Sequence, residues 1–295
     1  MRNARLFGAS LGLALLSLFL MTGGSAQAAQ EAKIYGVTSW NAGCSGSARP
    51  KWDDMADDWY DEVTDKGFSF LGFCFGGHCG DAMSRDGRQV NGNIVNSKFA
   101  DLNVVSWGRD SNELDDADVA LLFWHGARKN GTNYKGSLRV DESGDGDCKL
   151  RRSEMDVGDR DLEFLHFSSC YSMNDSMWSR WWQAFDGAHQ IDGFHGLMWI
   201  GGSLVSDYGD FGNQAFHTTI ADAWLDNMYY EDTFNGGSDD QCPVAYAVGA
   251  NGADTWSRIG SERYNNVKSD PRTIGYWGVV FIAGCDPAGE DTINQ

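Results

Sequence analysis

Two uninterrupted apolar runs stand out against a polar, glycine-rich chain. The first is Val119-Ala120-Leu121-Leu122-Phe123-Trp124; the second is Leu162-Glu163-Phe164-Leu165-His166-Phe167. Neither contains glycine or proline, and each follows an aspartate-rich stretch, Asp115-Asp116-Ala117-Asp118 and Asp156 to Asp161. Both read as short buried strands. Further strands are expected at Lys33–Trp40, Phe68–Phe75, Leu197–Ile200, Pro243–Val248 and Gly275–Ala283. Asp53–Val63 sets acids among Trp, Tyr and Met at helical spacing, which fits an amphipathic helix or a surface loop. Ser172–Phe185 and Gln214–Tyr230 read as helices. In the second, Phe216, Ile220, Ala223, Trp224 and Met228 keep a 3.6-residue period. Residues 81–115 are polar and irregular, and Ala127–Arg160 is a Gly/Asn/Asp-rich excursion. Strands alternating with helices predict an α/β fold, a mostly parallel sheet with helices on both faces.

The amino terminus reads as a leader. Arg2 and Arg5 precede an apolar stretch from Leu11 to Met21, and Ala26-Gln27-Ala28 offers a small-residue cleavage site. Residues 1–28 are therefore expected to be a signal peptide, with 29–295 forming one domain, exported and free of membrane spans. The whole chain carries 42 acidic and 23 basic residues, a formal charge of −19. The leader holds two of the cations, so the mature chain is more acidic by two charges. That balance argues against nucleic acid or an anionic membrane as partner, and it repels acidic substrates. Oligomeric state is not written in the pattern.

All seven cysteines (Cys44, Cys74, Cys79, Cys148, Cys170, Cys242, Cys285) lie beyond the leader. Export favours disulfides, and an odd count leaves one thiol over. Six of the seven sit in loop-like settings, whereas Cys170 directly follows a buried strand. Three disulfides stapling the loops, with Cys170 free, is the simplest accounting; the connectivity of the six is open. Two metal patterns fall short. Cys74, His78 and Cys79 lack a second ligand pair at zinc-site spacing. Asp141, Ser143, Asp145, Gly146 and Asp147 begin like a calcium loop, but Arg152 stands where the bidentate glutamate belongs. No cofactor is expected beyond a looser structural calcium site.

The chemistry gathers where the two strands end. If they are parallel neighbours, His125-Gly126 and Ser168-Ser169-Cys170 emerge together at their carboxyl ends, where open α/β sheets carry sites. A thiol beside an imidazole suffices for cysteine nucleophilic catalysis. Phe123-Trp124-His125-Gly126 and Phe167-Ser168-Ser169-Cys170 resemble, in order and context, the caspase–haemoglobinase superfamily of caspases, metacaspases, legumain, gingipain and clostripain-like endopeptidases. The resemblance covers roughly residues 115–205. The segments 184–194 and 212–224 also resemble a family of secreted bacterial proteins without assigned function.

The resemblance implies a nucleophilic Cys170 and a base, His125, that ensures its thiolate and protonates the leaving amine. It implies an oxyanion hole from the amides of Gly126 and Cys170, and a dyad that needs no third residue. A helix starting just after Cys170 would add its positive end to the thiolate. Metacaspases and clostripain-like members carry an acid two residues before the cysteine, and caspases a glutamine. Here that position is Ser168, so neither basic nor aspartate specificity carries over. Ser168, His189, Asp207 and Asp210 are the candidate substrate-contacting residues, with His195 a further cleft histidine. The expected function is an exported cysteine endopeptidase acting on a polypeptide. The alternative is a secreted, non-catalytic binding protein that retains the fold.

Overall fold

The computed structural model describes residues 30–41, 43–44, 46–71, 73–129, 133–140, 148–231 and 239–293. The expected leader (1–28) and calcium loop (141–147) lie outside them. In chain order the strands and α-helices are β1 (Glu31–Gly36), α1 (Lys51–Val63), β2 (Phe68–Phe70), β3 (Phe73–Phe75), β4 (Ser84–Val90) and β5 (Val119–Phe123). Then come β6 (Gly126–Lys129), β7 (Asn133–Ser137), β8 (Lys149–Arg151), β9 (Phe164–Ser168), α2 (Trp178–Trp181) and β10 (Gln190–Phe194). The series ends with α3 (Val205–Gln214), α4 (Ile220–Met228), β11 (Pro243–Gly249), α5 (Gly252–Ile259) and β12 (Tyr276–Phe281).

Seven strands form the main sheet in the order β12-β11-β10-β9-β5-β1-β4. The pairs from β4 through β10 are parallel, and β11 pairs antiparallel with both β10 and β12. Alternation along β5 divides the core, as the two-residue period of a strand requires. Val119, Leu121 and Phe123 pack on one face with α1, α3 and α4. Ala120, Leu122 and Trp124 pack on the other with Phe99, Trp181 and Phe185. The longer helices thus share one face, and α5 joins them through Ile259 against Ala245 and Ala247. The opposite face is closed by 3-10 turns, the single-turn α2 and a small sheet of order β6-β7-β8.

Several expected boundaries move, each for a physical reason. Leu197–Ile200 is not a strand; the strand is β10, a few residues earlier, and its polar residues hid it. Asp192 there accepts from Gln190 Nε2 at 2.8 Å and pairs with His166 Nδ1 at 2.8 Å, so it is buried at no cost of lost partners. The expected helix over Ser172–Phe185 is broken into a turn, 3-10 segments and α2. Tyr171 adopts φ +57°, and the amides of Tyr171 and Met173 bond to Gly196 and Phe194 instead of starting a helix. Gln214–Tyr230 is two elements, with α4 capped by Thr219 accepting from the Asp222 amide at 3.0 Å. The polar stretch 81–115 contains β4, an edge strand held by β1 and by Arg88 bonded to Asp53 and Asp57. Phe68–Phe75 is a hairpin, β2–β3, with exposed phenylalanines.

The disulfides are Cys44–Cys148, Cys74–Cys79 and Cys242–Cys285, and Cys170 is the free cysteine. The zinc pattern dissolves accordingly: Cys74 and Cys79 are bonded to each other, and His78 stacks on Phe216. No helix among the described residues is long and apolar enough to cross a membrane.

Candidate active site

Strands β5 and β9 run parallel with Phe123 opposite Ser168 as their last paired rung. His125 lies two residues beyond Phe123, and Cys170 two beyond Ser168, so the sheet delivers both at one edge. Gly126 seals the approach. A Cβ there would run into the carbonyl of Cys170 and the Ser169 hydroxyl, so only glycine lets the two main chains lie this close. A hydrogen-bonded chain fixes the layers beneath: Trp124 Nε1 donates to Tyr134 OH at 2.8 Å, and Tyr134 OH bonds Ser169 Oγ at 2.7 Å.

The His125 ring is held on three sides. Trp40 stacks on it with centroids 4.7 Å apart, Trp52 meets it edge-on at 5.2 Å, and Nε2 lies 2.8 Å from the Ser47 carbonyl. A carbonyl only accepts, so Nε2 carries the hydrogen and the neutral ring keeps its lone pair on Nδ1. Burial pushes the His125 pKa below its ordinary value, and Arg49 and Lys149 add to this. The Cys170 thiol is partly exposed, and Sγ accepts from the Met198 amide at 3.4 Å. Burial pushes its pKa up, against the pull of the Met198 amide, its own amide and Arg49. Both shifts favour the neutral forms of the two groups. The expected helix-dipole support is corrected, because a turn with Tyr171 at φ +57°, not a helix N-terminus, directly follows Cys170.

The remaining expected contacts divide. Ser168 is fully buried below the site: its Oγ accepts from Trp52 Nε1 (2.9 Å) and Tyr208 OH (2.7 Å) and donates to Met198 Sδ (3.5 Å). With its capacity filled by protein, it cannot read a substrate; it ties α1 and α3 to β9. His189 precedes β10 at the amino end of the sheet, buried beside Glu262 at 2.9 Å, and lines no cleft with Cys170. Asp207 and Asp210 lie on α3, and no hydrogen bond among the described residues joins either to His125 or Cys170. His195 is buried at the carboxyl end of β10, accepting from the Asp175 amide at 3.1 Å and donating to the Asp291 carbonyl at 2.9 Å. It braces the turn after Cys170. His166 is sealed between Asp192 and the Tyr264 hydroxyl, 2.8 Å from each.

A cleft of about 320 Å³ opens beside His125 and Gly126, lined also by Ser47, Lys135, Ser137 and Lys149. Sequence reasoning missed these residues. Ser47 acts through its carbonyl, which any residue type supplies, and the lysines sit in the Gly/Asn/Asp-rich excursion over Ala127–Arg160. Among the described residues, the acids grouped closely enough for a cation are Asp118, Asp161 and Glu163, with ligand oxygens within 4.8 Å of one another. They precede β5 and β9, at the opposite end of the sheet from His125 and Cys170.

No curated protein matches the chain. The family model described as "Domain of unknown function (DUF6345)" matches residues 82–280, from just before β4 into β12 and including His125 and Cys170. The chain belongs to the DUF6345 family.

Proposed function

We propose that the protein is an exported cysteine endopeptidase working through His125 and Cys170, as the resemblance to the caspase–haemoglobinase superfamily implies. The observation that carries the reading is the shared last rung of β5 and β9, with the Gly126 main chain against that of Cys170. Export accords with the three disulfides and with the leader-like amino terminus.

Cys170 Sγ attacks the scissile carbonyl carbon while its proton passes to His125 Nδ1. The oxyanion accepts from the amides of Gly126 and Cys170. Ser137 N bonds the His125 carbonyl at 2.7 Å, so on the alternating antiparallel ladder the next residue, Gly126, turns its amide away from β7. His125 then donates its proton to the leaving nitrogen as the C–N bond breaks, leaving a thioester on Cys170. Water, deprotonated by His125, hydrolyses that thioester and frees the thiol.

A non-catalytic binding protein on the same fold is the second reading, favoured by the elevated thiol pKa. Cleavage of a mixed peptide library separates the two. The endopeptidase reading expects cuts that disappear with Cys170→Ala and slow about 10²–10⁴-fold with His125→Ala. It also expects activity to fall on acidification through a pKa below 6.5, the ordinary histidine value, because protonated His125 accepts nothing. A protein that cuts no peptide while Cys170 accepts iodoacetamide overturns it.

A further inference from the structure

The cleft beside His125 departs from the charge of the chain around it. Among the described residues, several partly or fully buried cations meet acids: Lys33 with Asp86, Lys98 with Glu113, Arg128 with Glu290, Arg258 with Glu262. With 42 acidic residues in the chain this is expected. Lys135 is different. It lines the cleft, is half-buried, and its ammonium has no hydrogen bond or ion pair among the described residues. Lys149 stands in the same cleft with Nζ donating to Ser137 Oγ at 2.9 Å. Arg49, exposed two residues after Ser47, adds its charge to the field at both His125 and Cys170. Among the described residues no carboxylate meets the Lys135 ammonium, and a bound anion would supply a counter-charge to a partly desolvated ammonium.

We infer that this cleft receives a carboxylate of the polypeptide substrate, held by the Lys135 ammonium in the field of Lys149 and Arg49. The inference rests on the endopeptidase reading and gives it a substrate class: chains carrying an acid close to the scissile bond. The carboxylate comes either from an aspartate or glutamate side chain or from the end of the chain. The local field thereby reverses the exclusion of acidic substrates that net charge alone suggests.

The test uses the full mature protein with Cys170→Ala, so that binding is read without turnover. The probes are tetrapeptides capped at both ends and carrying one Asp or its isostere Asn, plus a neutral tetrapeptide with a free carboxyl end. The capped Asp peptide, the uncapped neutral one, or both should bind about tenfold more tightly than the capped Asn peptide, the better of the two naming the source. Lys135→Met should bring that preference within about twofold of parity, and Lys135→Arg should keep it. A second readout needs no peptide: with Cys170 present, the ratio of iodoacetate to iodoacetamide alkylation rates should fall about threefold or more with Lys135→Met. Equal affinity for all three peptides, or a preference that survives Lys135→Met, overturns the inference. Peptide cleavage without acid preference sinks the carboxylate site and leaves the endopeptidase reading standing. Acid preference without cleavage does the reverse.

Discussion

At the scale of the residue, the site is made by what surrounds His125 and Cys170 as much as by those two. The side chains themselves were legible in the sequence, because each closely follows an apolar run, His125 by one residue and Cys170 by three. Their environment was not. The Ser47 carbonyl that orients the imidazole leaves no mark on residue type, and the stacking of Trp40 on His125 joins positions 85 residues apart in sequence. Ser168 was misread for a related reason. Its position before Cys170 suggested a substrate contact, but Trp52 and Tyr208 reach it from two helices and fill its hydroxyl. Ser168→Ala should therefore leave buried donors without an acceptor and cost about 1–3 kcal/mol of stability. Urea unfolding measures this. An unchanged midpoint would show that the hydroxyl is not the acceptor holding α1 and α3.

At the scale of the element, uniformly apolar strands were readable and mixed ones were not. β5, β9, β11 and β12 fall close to their expected spans, while β10 carries Gln190 and Asp192 and β4 is an edge strand of polar sequence. Burial normally announces a strand through apolar residues; where hydrogen bonds satisfy buried polar groups, that signal is lost. Loops were least readable, because disulfide partners are chosen by the fold. Cys44–Cys148 joins the loop that carries Ser47 to the start of β8, where Lys149 enters the cleft. Replacing both with serine should cost about 2–5 kcal/mol, since the bridge closes a loop spanning 104 residues. Thermal unfolding checks the cost. The same variant should lose peptide cleavage below its melting temperature as His125 loses its anchor; full cleavage by the folded variant would show that this loop does not orient His125.

At the scale of the whole molecule, acidity is concentrated enough to couple stability to pH. Burial, followed by neighbouring carboxylates, pushes Glu163 up to about 9, Asp110 to about 7, and Asp118 and Asp156 to about 6. A carboxyl raised in the folded state favours folding while protonated, and that contribution is lost as pH rises through its folded pKa. Burial lowers His78 and His125, which oppose the trend only below the ordinary histidine value of 6.5. The melting temperature should accordingly be higher near about pH 5.5 than near about pH 8.5. Calorimetry at the two values, with the disulfides intact, decides it, and a flat or rising profile would contradict these assignments.

The central claim, that Cys170 forms a thioester with a peptide carbonyl while His125 moves the protons, is tested most directly by trapping that bond. Wild-type protein acid-quenched during turnover of a cleavable peptide should gain the mass of the acyl half, mapped to Cys170 and absent in Cys170→Ala. Cleavage that proceeds without such an adduct, or that survives Cys170→Ala, would contradict the account.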